Sequence, residues 1–548
     1  MTLAVICGWT LARAGLLCLL AWPVCRWIER AYAMLSVSWR PWLLAGLIAP
    51  ACFPELLVGY AFRDLAVARP DLAEGLCSLL LLVRIIPVGT IALLATPRSG
   101  PDASAVYCRL LLVRSAVRTR NDWYQLLRCY WHRDLLRALP ALGLMGIVAF
   151  QEFELAALLQ TISWTDWFIA ARWQGLERQE MLKQSFLPLL WQLPIVIGAM
   201  VWVRRASIHL AEGPGIDDGT ERPEVSRVVW GGVVVVAVTI VVGCLIPLGL
   251  MGWRTIDGFA LLARQRTQQF GLAREILISS AVATCAAGLA WGISGRLRGI
   301  CLNLLFAGLF GSLLLSLGAV AIFQWPWLRP IYDTPIPWVV VLTVWLLPRA
   351  ALLRAWLHAC RNDAGIHVAE MICASNQGRS DVVYASQPRE PQEDTASPRT
   401  PKQWHRWGNT IRTLLLRSSR RGRQWSRQED TASPRTPKQW HLGRRDRKRS
   451  LLLWHLRDQP QFLAASLLCY WAYCDLPSAC MLAPSGMASG LVRLYNFMHF
   501  GRSAALSAES LVFFSFPVIC WFVLVRVGRR VWGGDDVPAM DEHENSLD

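Results

Sequence analysis

Four carboxylates sit inside stretches that are otherwise apolar: Glu55 directly after Pro54, Glu152 and Glu154 in AFQEFELAAL, and Asp475 in CYWAYCDLPSACML. A charge at the centre of a bilayer costs roughly 2.5–3.5 kcal/mol on insertion scales, so such groups face a protein interior or a water-filled cavity. One chemistry open to Glu152, Glu154 and Asp475 is to line a translocation path and meet a cationic solute or its coordinating groups. The other is structural: carboxylates near helix ends that accept hydrogen bonds from neighbouring backbone. Beyond Asp475 the chain breaks at Ala483-Pro484-Ser485-Gly486 and passes into a semi-polar segment ending in Tyr495, Asn496 and His499. Those three suit contact at an outer face, with solute or with a docking protein. Tyr and His equally suit amphipathic anchoring at a membrane interface.

Other chemistry is thin. His405 and His441 lack Cys or carboxylate neighbours at ligand spacing, so no metal centre is expected there. The 16 cysteines are scattered through apolar segments without a CxxC pair and read as small hydrophobes in a helical core. No GxxxxGK[ST] loop is present to cradle a nucleotide phosphate. No cofactor is expected, and the chain is not expected to be an enzyme.

The elements that carry these residues are membrane helices. The chain of 548 residues is 54% hydrophobic and only 17% charged, with a mean hydropathy of +0.33. A bilayer core needs about 20 apolar helical residues to cross it. Runs such as 228–253, 276–295 and 300–328 meet that length without one Asp, Glu, Lys or Arg. Spans are expected near 3–22, 41–60, 76–96, 136–160, 185–203, 227–252, 273–294, 300–323, 337–357, 461–485 and 508–526: an all-α, polytopic protein with about eleven transmembrane helices. The first 25 residues hold one charge, Arg13, and no clear cleavage site, so a retained first span is expected.

The net charge of +17 follows topology instead of nucleic-acid binding. Its excess falls in two connections, 97–135 and 358–460, the second with 20 Lys/Arg against 10 Asp/Glu. The positive-inside rule places both in the cytoplasm, with the N-terminus outside and the C-terminus inside. Arg254, Arg264, Arg266 and Arg274 run against this assignment, because they fall on the expected outer side. The 28 Trp mark membrane interfaces.

An internal repeat organises the rest. Leu44-Ala45-Gly46-Leu47 matches Phe306-Ala307-Gly308-Leu309 at an offset of 262, and Arg84-Ile85-Ile86-Pro87 matches Trp345-Leu346-Leu347-Pro348 at 261. After residue 376 the offset is 323, pairing Ala149-Phe150-Gln151-Glu152 with Ala472-Tyr473-Cys474-Asp475 and Pro194 with Pro517. A constant offset with one step of about 62 predicts two halves of five and six spans, and an insertion in the second. The even-numbered repeat keeps both copies in one orientation, unlike inverted-repeat transporters. On this register Asp475 and Glu152 face each other across a pseudo-twofold axis. The boundaries are 1–205 for the first half, which lacks one N-terminal span, and 206–375 with 438–530 for the second. Residues 376–437 form a basic cytoplasmic insertion expected to be disordered. It contains one copy and the start of another of the 14-mer QEDTASPRTPKQWH, which runs from Gln392 to His405 and from Gln428 to His441. Residues 531–548 are an acidic tail.

The connection after the ninth span begins Gly365-Ile366-His367-Val368-Ala369-Glu370-Met371-Ile372-Cys373-Ala374-Ser375. It resembles the coupling loop of ABC-importer permeases, in which Glu-Ala-Ala is followed three residues later by Gly. His367-Val368-Ala369 stands at Glu-Ala-Ala and Cys373 at the Gly, followed by Ala374-Ser375, so the acid and the Gly are both replaced. The stretch from Met481 to Met487 and from Val492 to Gly501 resembles the region after that loop in fused permeases of the ferric-iron and thiamine importer type. The resemblance implies an inner-membrane permease for iron(III) or another small solute. It also implies partners: a separate ATPase dimer gripping His367, Val368, Ala369, Glu370, Cys373, Ala374 and Ser375, a soluble solute-binding protein outside, and lipid around the spans. A permease no longer coupled to an ATPase and a membrane-embedded transferase are the alternatives.

Overall fold

The computed structural model describes residues 2–36, 38–96, 137–209, 225–264, 266–296, 306–360, 459–484, 486–487, 489–499 and 503–533. Among these residues every regular element is helical. In chain order they are α1 (Leu3–Met34), α2 (Arg40–Cys52), α3 (Glu55–Ala68) and α4 (Pro70–Ala95), then α5 (137–150), α6 (Glu154–Leu158), α7 (Trp164–Trp173) and α8 (Arg178–His209). Next come α9 (Val225–Ile240), a π-helical turn (Val241–Leu245), α10 (Ile246–Arg264) and α11 (Arg266–Arg296). The remainder is α12 (Ser312–Phe323), α13 (Arg329–Tyr332), α14 (Ile336–Cys360), α15 (Gln459–Tyr473), α16 (Leu476–Leu482), α17 (Gly490–His499) and α18 (Ser503–Gly533).

Among the described residues seven helical segments are long and apolar enough to cross a bilayer, and the bent pair α2–α3 makes eight if it counts as one span. The chain is an all-helical, multi-pass membrane protein. Its outer helices behave accordingly: Leu506–Gly528 buries only 17% of its apolar window, and Arg227–Ile256 only 28%. Side chains such as Leu19, Trp230 and Phe522 lie exposed along these faces, where hydrocarbon replaces water as the solvent.

Several expected spans are interrupted. The segment expected over 41–60 turns by 68° between α2 and α3, at Phe53-Pro54. Pro54 has no N–H to continue the ladder and disfavours helical backbone in the residue before it. The segment expected over 300–323 turns at 309–311 before α12, and Gly311 there has φ +87°. The segments over 136–160 and 461–485 break at 151–153 and at 474–475. Asp475, expected near the middle of a continuous helix, is instead the residue that starts α16.

The packing is repetitive. Helix α1 lies along α4, and α3 contacts both α4 and α6. In the same manner α11 lies along α14, and α12 contacts both α14 and α16. Small residues permit the closest approaches. A Cβ on Gly308 would meet the Val344 carbonyl oxygen and the Pro348 ring of α14.

Two of the four arginines that oppose the expected topology are engaged by protein. Arg254 pairs with Asp64 at 2.6 Å, and Arg274 donates to the Gly486 carbonyl at 3.2 Å. The coupling-loop residues His367 to Ser375, the insertion 376–437 and residues 534–548 lie outside the described residues.

The tight contact at Gly308 sets an expectation. Gly308→Val should destabilise the protein by about 1–3 kcal/mol through overpacking. Gly288→Ala, whose Cβ meets nothing within 4 Å, should be neutral or stabilising because Ala favours helix over Gly. Thermal unfolding of both variants in detergent checks the contrast.

Candidate functional site

A break in a membrane helix leaves carbonyls and amides without partners, and lipid offers none, so protein groups must supply them. At the first break, α5 ends at residue 150 and α6 begins at Glu154. The Phe150 carbonyl accepts from Trp164 Nε1 at 2.6 Å. The Glu152 carbonyl accepts from Thr165 Oγ1 at 2.6 Å and from Ser163 Oγ at 3.2 Å. On the amide side, Glu152 Oε1 accepts from the Leu155 N–H at 2.7 Å. Helix α7 therefore satisfies the end of α5, while Glu152 satisfies the start of α6.

The second break uses the same device. Asp475 Oδ2 accepts from the Ser478 N–H at 3.1 Å, three residues ahead, as the N-cap of α16. Pro477 explains why the helix restarts here. In the interior of a continuous helix it would lose a hydrogen bond and clash with the preceding turn, whereas the first turn of a new helix tolerates it. Ser478 Oγ in turn accepts from Trp338 Nε1 at 3.1 Å.

Each break also meets the start of the second part of a bent segment. Glu55, first residue of α3, forms an ion pair with Arg84 of α4 and lies at hydrogen-bonding range of Glu152. Glu154 accepts from the Leu56 N–H in the first turn of α3. On the other side Asp475 hydrogen-bonds Ser312, first residue of α12, and lies within electrostatic reach of Arg349 of α14. Arg349 lies over the Trp345 ring at 3.8 Å and donates to the Trp345 carbonyl at 2.9 Å. The two regions are linked. Gln151 Nε2 donates to Gln192 Oε1 at 2.8 Å and to the Leu309 carbonyl at 2.7 Å. Gly311 is required at this link, since its φ is left-handed and a Cβ there would strike the Gln151 amide.

Glu152, Glu154 and Asp475 are all buried, at 3%, 7% and 7% exposure. Glu154 lies within electrostatic reach of Asp475. Beside the cluster is a cavity of about 20 Å³, lined by Pro50, Glu55, Arg84, Leu155 and Gly243. That is room for about one water. Gly243 belongs to the π-helical turn, a local widening found frequently at functional positions. Among the described residues no three His, Cys, Asp or Glu are placed to hold a metal ion.

The remaining candidates separate. Tyr495 is buried at 5% exposure, its ring 5.6 Å from Phe153. It packs against the first break. Asn496 is half-buried on the same helix, and His499 is that helix's last residue. The sequence reading passed over Arg84, Arg349, Ser312 and Trp164. The two arginines carried a usable signal: a cation inside an apolar span is as costly as a carboxylate, and each lies within three residues of a proline, Pro87 or Pro348.

Comparison with known protein families, characterised proteins and solved structures finds no match for this chain.

Capping by Asp475 makes a graded prediction. Asp475→Asn keeps an oxygen for the Ser478 N–H and should lie within about 0.5 kcal/mol of the parent. Asp475→Ala should lose about 3 kcal/mol or more, because it leaves the buried Ser478 N–H without its acceptor and Arg349 without its carboxylate. Unfolding of the purified protein measures both. Equal losses would make the charge opposite Arg349, and not the cap, the important property.

Proposed function

We propose that this chain is the membrane permease of an ATP-driven importer, with eleven spans in two parallel halves of five and six. In this reading α1 through α8 form the first half and α9 through α18 the second. One observation supports it: the same unit is built twice, around two carboxylates that the sequence register pairs. Each unit combines a broken span, a carboxylate capping an amide three residues ahead, the first residue of a bent segment, and an arginine from a proline-containing helix. Glu152 and Asp475, matched at offset 323, hold the same place in it. Discontinuous helices beside one another inside a membrane protein are a recurrent way to build a site that changes state.

The resemblance of Gly365–Ser375 to a coupling loop supplies the energy source: an ATPase on a separate polypeptide, gripping His367, Val368, Ala369, Glu370, Cys373, Ala374 and Ser375 on the cytoplasmic side. A soluble binding protein delivers a small solute, iron(III) first among the candidates, to the opposite face. Glu152, Glu154 and Asp475 serve first as the caps that hold the breaks. Their contribution to a path arises only if the breaks separate. The chain's own replacements, His367 and Cys373, favour a second reading in which the permease no longer couples.

Co-purification decides between these readings. A cognate ATPase should be retained by the full-length protein from detergent-solubilised membranes. Replacing Ala369 with Asp should reduce retention at least tenfold, because a buried charge at a close helix contact costs several kcal/mol. A folded protein that retains no ATPase would support the uncoupled permease.

A further inference from the structure

Two short helices lie outside the membrane-length segments, and each reaches over the other half's broken span. Helix α7 follows α6, yet Arg172 on it donates from Nη1 to the Met481 carbonyl at 2.9 Å, with Met481 Sδ at 2.8 Å. Met481 lies in the last turn of α16, where carbonyls lack intrahelical partners. Helix α17 follows α16, yet its Tyr495 ring packs on Phe153 in the first break, and its Met498 carbonyl accepts from Arg63 of α3. Leu491, Leu494, Tyr495 and Met498 recur at i, i+3, i+4 and i+7 and are all nearly inaccessible. One stripe of α17 is therefore buried, against α16 and α11 of its own half as well as at Phe153 of the first break. The exchange is reciprocal: a basic side chain caps a helix end in one direction, and an aromatic and a carbonyl engage in the other.

We propose that α7 and α17 form a reciprocal strap that holds the two broken spans closed at one mouth of the permease. The proposal rests on the permease reading, because a strap needs a path to close. Arg172 is the releasable element. It is exposed at the surface and its bonds are to one residue, Met481, whereas the α17 stripe is buried apolar surface. Losing Arg172 therefore frees α16 from α7 without unfolding either helix. The half-buried Cys480 reports on this, since it lies one residue before Met481 and within electrostatic reach of Arg172, Glu154 and Asp475.

The test is alkylation of Cys480 in full-length protein held in membrane vesicles, using a water-soluble maleimide applied to both faces and peptide mass spectrometry as the readout. Arg172→Ala should raise the Cys480 rate by about tenfold, the scale of losing a hydrogen bond from a charged donor. Arg172→Lys, which keeps a cation able to reach the Met481 carbonyl, should stay within about threefold of the parent. Cys25, buried against the Ile86 carbonyl and Met145, should stay unreactive in all three proteins. An unchanged Cys480 rate in Arg172→Ala overturns the strap. So does a parallel rise at Cys25, which would mean general loosening. Alkylation needs no ATPase, so its failure leaves the co-purification result standing, and the reverse also holds.

Discussion

Every backbone amide and carbonyl inside a bilayer must find its partner within the protein, and the rest of this structure follows from how its helix breaks meet that demand. An unsatisfied group in hydrocarbon costs several kcal/mol, so a chain with interrupted spans must carry its own donors and acceptors to each interruption. Here the acceptors are carboxylates. Glu152 and Asp475 each take the amide three residues ahead, and Glu154 takes an amide from α3. The donors are Trp164, Ser163 and Thr165, delivered by the short helix that follows the first break. Because a lone carboxylate in such a place is itself expensive, Arg84 and Arg349 are brought in from neighbouring helices. The polar interior is one connected consequence of breaking helices in lipid.

The two units are alike in plan and unequal in charge. The first gathers Glu55, Glu152 and Glu154 around Arg84, while the second places Asp475 against Ser312 and Arg349. A serine at the start of α12 takes the place that Glu55 has at the start of α3. Both can hydrogen-bond the capping carboxylate, so the geometry survives a change in chemistry. An unequal pair of this kind gives the two broken spans different electrostatics without altering the fold.

The sequence disclosed the class of protein and the residues at its interior, but not how they are joined. Charge-free apolar runs such as 228–253 and 276–295 marked membrane-length helices, and the register that pairs Glu152 with Asp475 led to two residues with the same capping role. It did not disclose that each of these ends one helix and starts another. No proline interrupts 149–156, so the break there depends on Trp164, Ser163 and Thr165 arriving from α7, a tertiary contact with no local signature. Pro477 was such a signature and was outweighed by the length of the apolar run around it. Tyr495 shows the same limit: nothing local in its amphipathic pattern indicated that its ring would meet Phe153 at the first break.

The central claim is that the two units belong to halves of the same orientation. The most direct measurement places a reporter active on only one side of the membrane within 97–135, and separately within 361–458, of the full-length chain. Parallel halves put both reporters on the cytoplasmic side. Reporters on opposite sides would contradict the parallel repeat, and with it the permease architecture proposed for this chain.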